Sequence, residues 1–224
     1  MMYIKVDESS TPIPETLYGS KPNWFDSAGN PVTDQHLIDY EGLYPVTTVK
    51  PVHDSFYQRV VRNPPEQWVF NVDHVEATYT IENMPLSQIK ARLLGELAAL
   101  RYKYEVGGFI FTDSTGADLK IHSSRESHTK IIGTRQAAQE GLRPENALWK
   151  TMEGFVPLRN GDMVALGPAL FGFTQACYDR ESQIEDLIAA VDTSGDYSTA
   201  ANEFKTIHAD EFTSGWPSNA LYQG

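Results

Sequence analysis

Several stretches of the chain carry residue types that do chemistry in other proteins. Gly107-Gly108 and the polar run Ser123-Ser124-Arg125-Glu126-Ser127 lie close enough in sequence to suggest a phosphate cradle. A phosphate loop, however, runs from a strand through glycines directly into a helix N-terminus, usually with a Lys following. Here the glycines follow a helix-like pattern and precede a strand-like run. Ser123 and Glu126 also have the S-x-x-E spacing of a capping box, which uses up the free N–H donors of a helix start. The stretch therefore reads as a joint between elements, with Arg125 and Glu126 serving the helix start.

Other candidates are weighed the same way. The six histidines are His36, His53, His74, His122, His128 and His208. Only His122 and His128 share a compact stretch, and none sits in an HExxH or His-carboxylate pattern, so no metal ligand set is expected. Cys177 falls on an apolar stripe and reads as core, not nucleophile; no G-x-S-x-G occurs. Trp149 is expected to anchor a core, with stacking on carbohydrate the sharper alternative. Asp192, Ser194, Asp196 and Glu203 fall at positions 1, 3, 5 and 12 of an EF-hand rhythm. The glycine that loop needs at its sharp turn is replaced by Tyr197, and Thr199 stands where a branched apolar residue is usual. A solvated acidic loop is the expectation there.

These residues need elements to hold them, and three regions supply them. Residues 1–85 hold nine of the thirteen prolines, a density that disfavours long helices and central strands. Short β-prone runs lie between: Tyr3–Val6, Val46–Val49, Phe56–Val61, Gln67–Val72 and Val75–Ile81. Turn residues around Asn63–Glu66 and Asp73-His74 make the last three a predicted antiparallel meander. Thr33–Tyr40 suits a turn or two of helix before Gly42. The whole is expected to be a small β-rich module with an extended, Pro-rich N-terminal arm.

Residues 86–191 change character. Leu86, Ile89, Leu93, Leu97, Leu100 and Tyr104 mark one face of a helix that Pro85 opens and Gly107-Gly108 closes. Phe109–Phe111 and Leu119–Ile121 flank a polar turn and predict a hairpin. A second helix is expected over about 124–140. Met163, Leu166, Leu170, Phe173, Cys177, Arg180, Ile184, Leu187 and Val191 then alternate spacings of 3 and 4, a heptad stripe with Arg180 its polar intruder. Such stripes suit an intramolecular bundle, the commoner use, or facing copies in a homo-oligomer. Arg180 then either pairs with a carboxylate at a subunit contact or extends its head to solvent. Residues 192–224 are polar and read as an arm beyond the core. Its spaced Phe204, Phe212, Trp216, Leu221 and Tyr222 suit docking onto a partner, with a free flexible tail as the alternative. The expected fold class is α+β.

Composition narrows the function. The formal charge is −12, from 18 Lys+Arg against 30 Asp+Glu, and it concentrates at the two ends of the chain. Acidic ends repel phosphates and anionic lipid, which disfavours nucleic-acid and membrane-surface roles. A lone cysteine forms no intrachain disulfide. No export signal or membrane-length apolar run is legible.

The middle region carries a resemblance. Its ordered motifs are Arg101-x-x-x-Glu105-x-Gly107-Gly108, then Ser123-Ser124-Arg125-Glu126-Ser127, then Trp149-Lys150-x-x-x-Gly154, then Gln175-Ala176-Cys177. Over about 90–190 it resembles a domain of unknown function found in tailed bacteriophages and prophages, with Ser123-Ser124 where Thr-Asp is more usual. Leu43-Tyr44-Pro45-Val46 and the Trp68 strand resemble what precedes that domain. The resemblance implies a non-enzymatic virion component with no cofactor, assembled in the host cytoplasm into a tail-fibre base or baseplate. Its partners would be other tail proteins. A tail-fibre assembly chaperone is the alternative, and a surface-polysaccharide hydrolase a distant one, since no paired-carboxylate site can be argued.

Overall fold

The structure, a computed structural model, describes residues 1–19, 25 and 29–221. It is α+β and divides into two compact units, Met1–Met84 and Pro85–Gly224.

The first unit is built on a mixed four-stranded sheet. Strand β1 (Met2–Lys5) pairs antiparallel with β2 (Leu43–Thr48), with Met2 opposite Val46. β2 is an interior strand, with β1 on one side and the other two strands on the other. The short helix α1 (Asp34–Glu41) leads into β2, and Gly42, at φ +61°, makes the turn between them. Alternating Ile4, Val46, Trp68, Val75 and Ala77 form one apolar cluster; Tyr3, Val32, Leu37 and Leu43 form a second.

Three expectations are corrected here. The N-terminal segment is no loose arm: Tyr3 and Ile4 are buried, and Tyr3 exchanges both backbone hydrogen bonds with Tyr18. Pro45 sits in the interior strand β2. It is tolerated because the parallel ladder from β2 to β5 (Val75–Ala77) begins only at Val46. The meander is absent because Val75–Ile81 splits at Thr78, whose side chain and carbonyl bind Asn63 and Gln67. Upstream of the split, β5 pairs with β4 (Val69–Phe70). Downstream, β6 (Tyr79–Asn83) pairs with β3 (Gln58–Arg62) in a separate ladder.

The second unit opens with α2 (Leu86–Val106), which buries Ile89, Leu93 and Leu97 at spacings of four. Gly108, at φ +86°, turns the chain into the hairpin β7 (Phe109–Thr112) and β8 (Asp118–Ile121). Helix α3 (Arg125–Gln139) follows, then a second hairpin, β9 (Leu148–Thr151) and β10 (Gly154–Pro157). Arg143, buried under that hairpin, donates to the carbonyls of Ala147 and Leu158 and to the Asn160 side chain. Helix α4 (Asn160–Ala190) runs unbroken through Pro168, and α5 (Tyr197–Glu211) packs against α2 and α4.

Helix α4 spends its apolar stripe inside this unit. Met163, Leu166, Leu170, Phe173 and Cys177 join Phe109, Phe111, Ile121 and Ile131 in one cluster. Further along, the buried positions are Ile184 and Ile188, while Leu187 is 42% exposed. The heptad reading placed Leu187 inside. A straight helix advances 3.6 residues per turn, so a strict seven-residue seam drifts by about 20° per heptad. By Leu187, 24 residues beyond Met163, the accumulated drift of about 70° turns that side chain partly outward and brings Ile188 inward.

The expected polar arm over 192–224 is also corrected. Asp196 caps α5 by accepting from the Thr199 N–H at 2.8 Å, and Ala200, Ala201 and Phe204 form its buried face. Few apolar residues suffice here because two of them are alanines that let α5 approach closely.

Candidate functional site

The motif residues converge where α2 ends. Arg101 pairs with Glu105 one turn on and with Glu181 of α4 at 3.1 Å, and its guanidinium lies 4.6 Å from the Tyr178 ring centre. Its side chain is only 17% exposed. Burial lowers its affinity for the proton, but the Glu181 and Glu105 carboxylates outweigh that and raise its pKa further. The Ser123 hydroxyl donates to the Glu105 carbonyl and accepts from the Gly108 N–H at 2.8 Å. Ser124, not Ser123, caps α3, accepting from the Ser127 N–H. The expected Ser123–Glu126 capping box therefore does not form: the N-cap lies one residue on, and Glu126 pairs instead with Lys130.

Both motif glycines stand where a side chain has no room. A Cβ at Gly107 would lie 2.5 Å from the Asn219 amide nitrogen, and one at Gly108 would lie 2.6 Å from the Met152 sulfur. Asn219 itself donates to the Tyr104 carbonyl at 2.5 Å, and Ala220 N–H donates to the Gly108 carbonyl at 3.2 Å. The glycine pair thus accepts the end of the described chain alongside β7.

Around this knot opens a cleft of about 500 Å³, lined by Arg101, Tyr102, Ser123, Arg125, His128 and Tyr178. Two of its polar groups are already engaged, while Arg125 stands exposed at its edge. Arg101 is matched by two carboxylates, and the Ser123 hydroxyl is satisfied as donor and acceptor. Cys177, next to Tyr178 in sequence, is fully buried, and burial pushes its thiol up to about 12, so no thiolate forms near neutrality.

The residues expected to meet partners are mostly spent internally. Phe204 is fully buried and Phe212 nearly so. Trp216 stacks on Tyr104 at 4.9 Å with planes 13° apart, and its indole N–H donates to the Phe212 carbonyl. Arg180 binds Glu211 and the Ser214 carbonyl within the same unit, so its charge is satisfied without a subunit contact. Leu221 is exposed at 61%. Tyr222 lies outside the described residues.

The acidic loop at Asp192 is likewise absorbed. Asp192 accepts from the Ser194 N–H and hydroxyl, Asp196 caps α5, and Glu203 lies within that helix. Among the described residues no group of three or more His, Cys, Asp or Glu side chains could hold a metal ion. Trp149 packs against the core, as expected, while its indole nitrogen is buried without a partner.

Residues 88–204 match the family described as Domain of unknown function (DUF4376). The chain belongs to that family. The match begins in α2 and runs to Phe204, in the middle of α5, so the DUF4376 segment extends beyond residue 191 into the first half of that helix. No curated protein and no solved structure matches the chain. Of the glycine-knot residues outside the DUF4376 segment, Trp216 is marked in the sequence as a partner contact but is spent on Tyr104, and Asn219 has no local mark at all. Their roles come from contacts more than one hundred residues away. The one-residue shift of the α3 cap was equally hidden, since Ser123 and Ser124 are chemically alike.

Proposed function

We propose that the chain is a structural component of a bacteriophage tail, at the fibre base or baseplate, working through protein–protein contacts. The observation that carries this reading is where the motif side chains are spent. Arg101, Glu105, Ser123 and both glycines hold the second unit together, and they leave no activated nucleophile beside a base. What that unit offers outward is apolar surface: Ile132, Phe155 and Phe171 are 61%, 67% and 72% exposed. The motif resemblance to phage tail-associated proteins supplies the setting.

Polysaccharide hydrolysis is disfavoured on chemical grounds. A glycosidase needs a carboxylic acid held protonated near neutral pH. Among the described residues, hydrogen bonds hold Asp73, Asp113, Glu126, Asp192 and Asp196 below the ordinary carboxylate range, so none of these five is such an acid.

Mass spectrometry of purified virions from the phage or prophage that encodes the chain tests the reading. Stoichiometric presence alongside fibre or baseplate proteins is the expected result. Absence from the virion, with recovery bound to an unassembled fibre, replaces it with the assembly-chaperone reading.

A further inference from the structure

On α3, His128, Ile132 and Arg135 follow at spacings of four and three; on α4, Gly167, Phe171 and Thr174 do the same. That spacing puts each set on one helical face. The two rows line an open, largely apolar groove of about 480 Å³, with Pro168 and Leu170 between them.

Three polar groups in this groove have no partner. His128 Nε2, Arg135 Nε and Thr174 Oγ1 are each buried from solvent and make no hydrogen bond. Arg135 has no ion pair among the described residues, whereas Arg101 and Arg180 in the same unit are each matched by carboxylates. Its position is also constrained. A Cβ at Gly167 would lie 2.6 Å from Arg135 Cδ and 3.3 Å from Nε, so the side chain crosses α4 where a glycine leaves room. The Nε–H of Arg135, buried with no acceptor and on a charge with no carboxylate beside it, lacks the compensation that buried donors normally have.

We propose that this groove binds a segment of a partner protein that presents a carboxylate between apolar side chains. Arg135 takes the carboxylate, for which its planar fork is suited. His128 and Thr174 donate to main-chain carbonyls of the same segment. Ile132 and Phe171, standing exposed on the rim, hold the flanking apolar side chains. A peptide fits better than a single headgroup. Positions 128 and 135 are seven residues apart, about 10 Å along a helix, which one carboxylate does not span. The volume falls within the range of roughly 300–1,000 Å³ typical of ligand pockets, enough for a few side chains and not for a folded domain. This proposal rests on the groove's own chemistry, so the virion composition does not decide it.

The test is a titration of the full isotope-labelled chain with acetyl-Leu-Glu-Leu-amide, followed by nuclear magnetic resonance. The expected result is saturable shifts at Arg135 Nε–H, His128, Phe171 and Thr174. The same peptide with Gln in place of Glu should bind about tenfold more weakly, the loss of one charge-assisted pair. Arg135→Gln should remove that Glu preference. Phe171→Asp, at an exposed position that folding does not need, should abolish binding while leaving the rest of the spectrum unchanged. No shifts in the groove at millimolar peptide, or equal binding of the Glu and Gln peptides, overturns the proposal. So does saturable binding of decanoate in place of the peptide, which would assign the groove to an amphiphile. Groove shifts that depend on protein concentration without peptide would assign it to a second copy of this chain, and equally overturn it.

Discussion

Arg180 and Glu211 meet at 2.7 Å, joining the middle of α4 to the end of α5. The same guanidinium donates to the carbonyls of Glu211 and Ser214, and Gly215 leaves it room, since a Cβ there would lie 2.9 Å from Arg180 Cζ. An arginine on an otherwise apolar stripe is thereby the clasp for the turn after α5.

Arg180→Lys should therefore destabilise the second unit by about 1–2 kcal/mol, because an ammonium cannot reproduce the several directed bonds of the guanidinium. Hydrogen exchange should accelerate over 211–216 before anywhere else. Sedimentation should be unchanged, because the contact lies within one chain; a shift in mass would restore the subunit-contact reading of Arg180.

The glycines separate close packing from helix propensity. Gly107→Ala should cost roughly 1–3 kcal/mol, the usual penalty for overpacking, since it displaces the buried Asn219 side chain. Adding Asn219→Gly should recover part of that loss, a non-additivity that independent sites would not show. Gly95→Ala, on the exposed side of α2 with nothing within 4 Å of the added carbon, should instead stabilise by about 0.5–1 kcal/mol. Urea unfolding of Gly107→Ala, Asn219→Gly, the double variant and Gly95→Ala checks all of this.

Helix α4 gives a one-residue test of phase. Ile188→Asp places an unpaired carboxylate in a fully buried site and should cost about 3–5 kcal/mol. Leu187→Asp should cost about 1 kcal/mol or less, because that position already faces water in part. Equal effects in thermal melts would show the helix rotated from the orientation described.

Much of the fold was legible where the signal was local and periodic. The α2 face at Ile89, Leu93 and Leu97, the Phe109–Ile121 hairpin and the start of α4's stripe all follow from spacing alone. The α5 helix was missed because its buried face is mostly alanine, which carries little hydropathy signal. The parallel β2–β5 pairing was missed because pairing between segments some thirty residues apart leaves no local mark. The candidate site was legible only as a set of motifs. That Arg101 is neutralised and Arg135 is not depends on carboxylates brought in by folding.

Cys177 supplies the pH prediction. Its folded thiol is raised to about 12 from an ordinary value of 9.0, chiefly by burial. Between those values the unfolded chain releases a proton that the folded chain keeps. Stability from this group is therefore complete below pH 9.0 and is lost as pH rises toward 12. The difference in melting temperature between the protein and its Cys177→Ala variant should shrink over that interval. Labelling by a disulfide reagent at neutral pH should proceed only as fast as the unit opens, and rapid labelling of the native protein would contradict the burial.

The bond from Asn219 to the Tyr104 carbonyl spans 115 residues of sequence. At about 5–20 residues per second, a ribosome needs roughly 6–23 seconds to travel from one partner to the other. During that interval the nascent helix ends at a bare glycine turn, with the stacking face of Tyr104 and the space beside Gly107 still open to water. The second unit therefore reaches its finished state only after Asn219 has been made and has left the ribosome. A newly made chain passes through a window in which apolar surface that the mature protein hides is accessible to whatever waits in the cell.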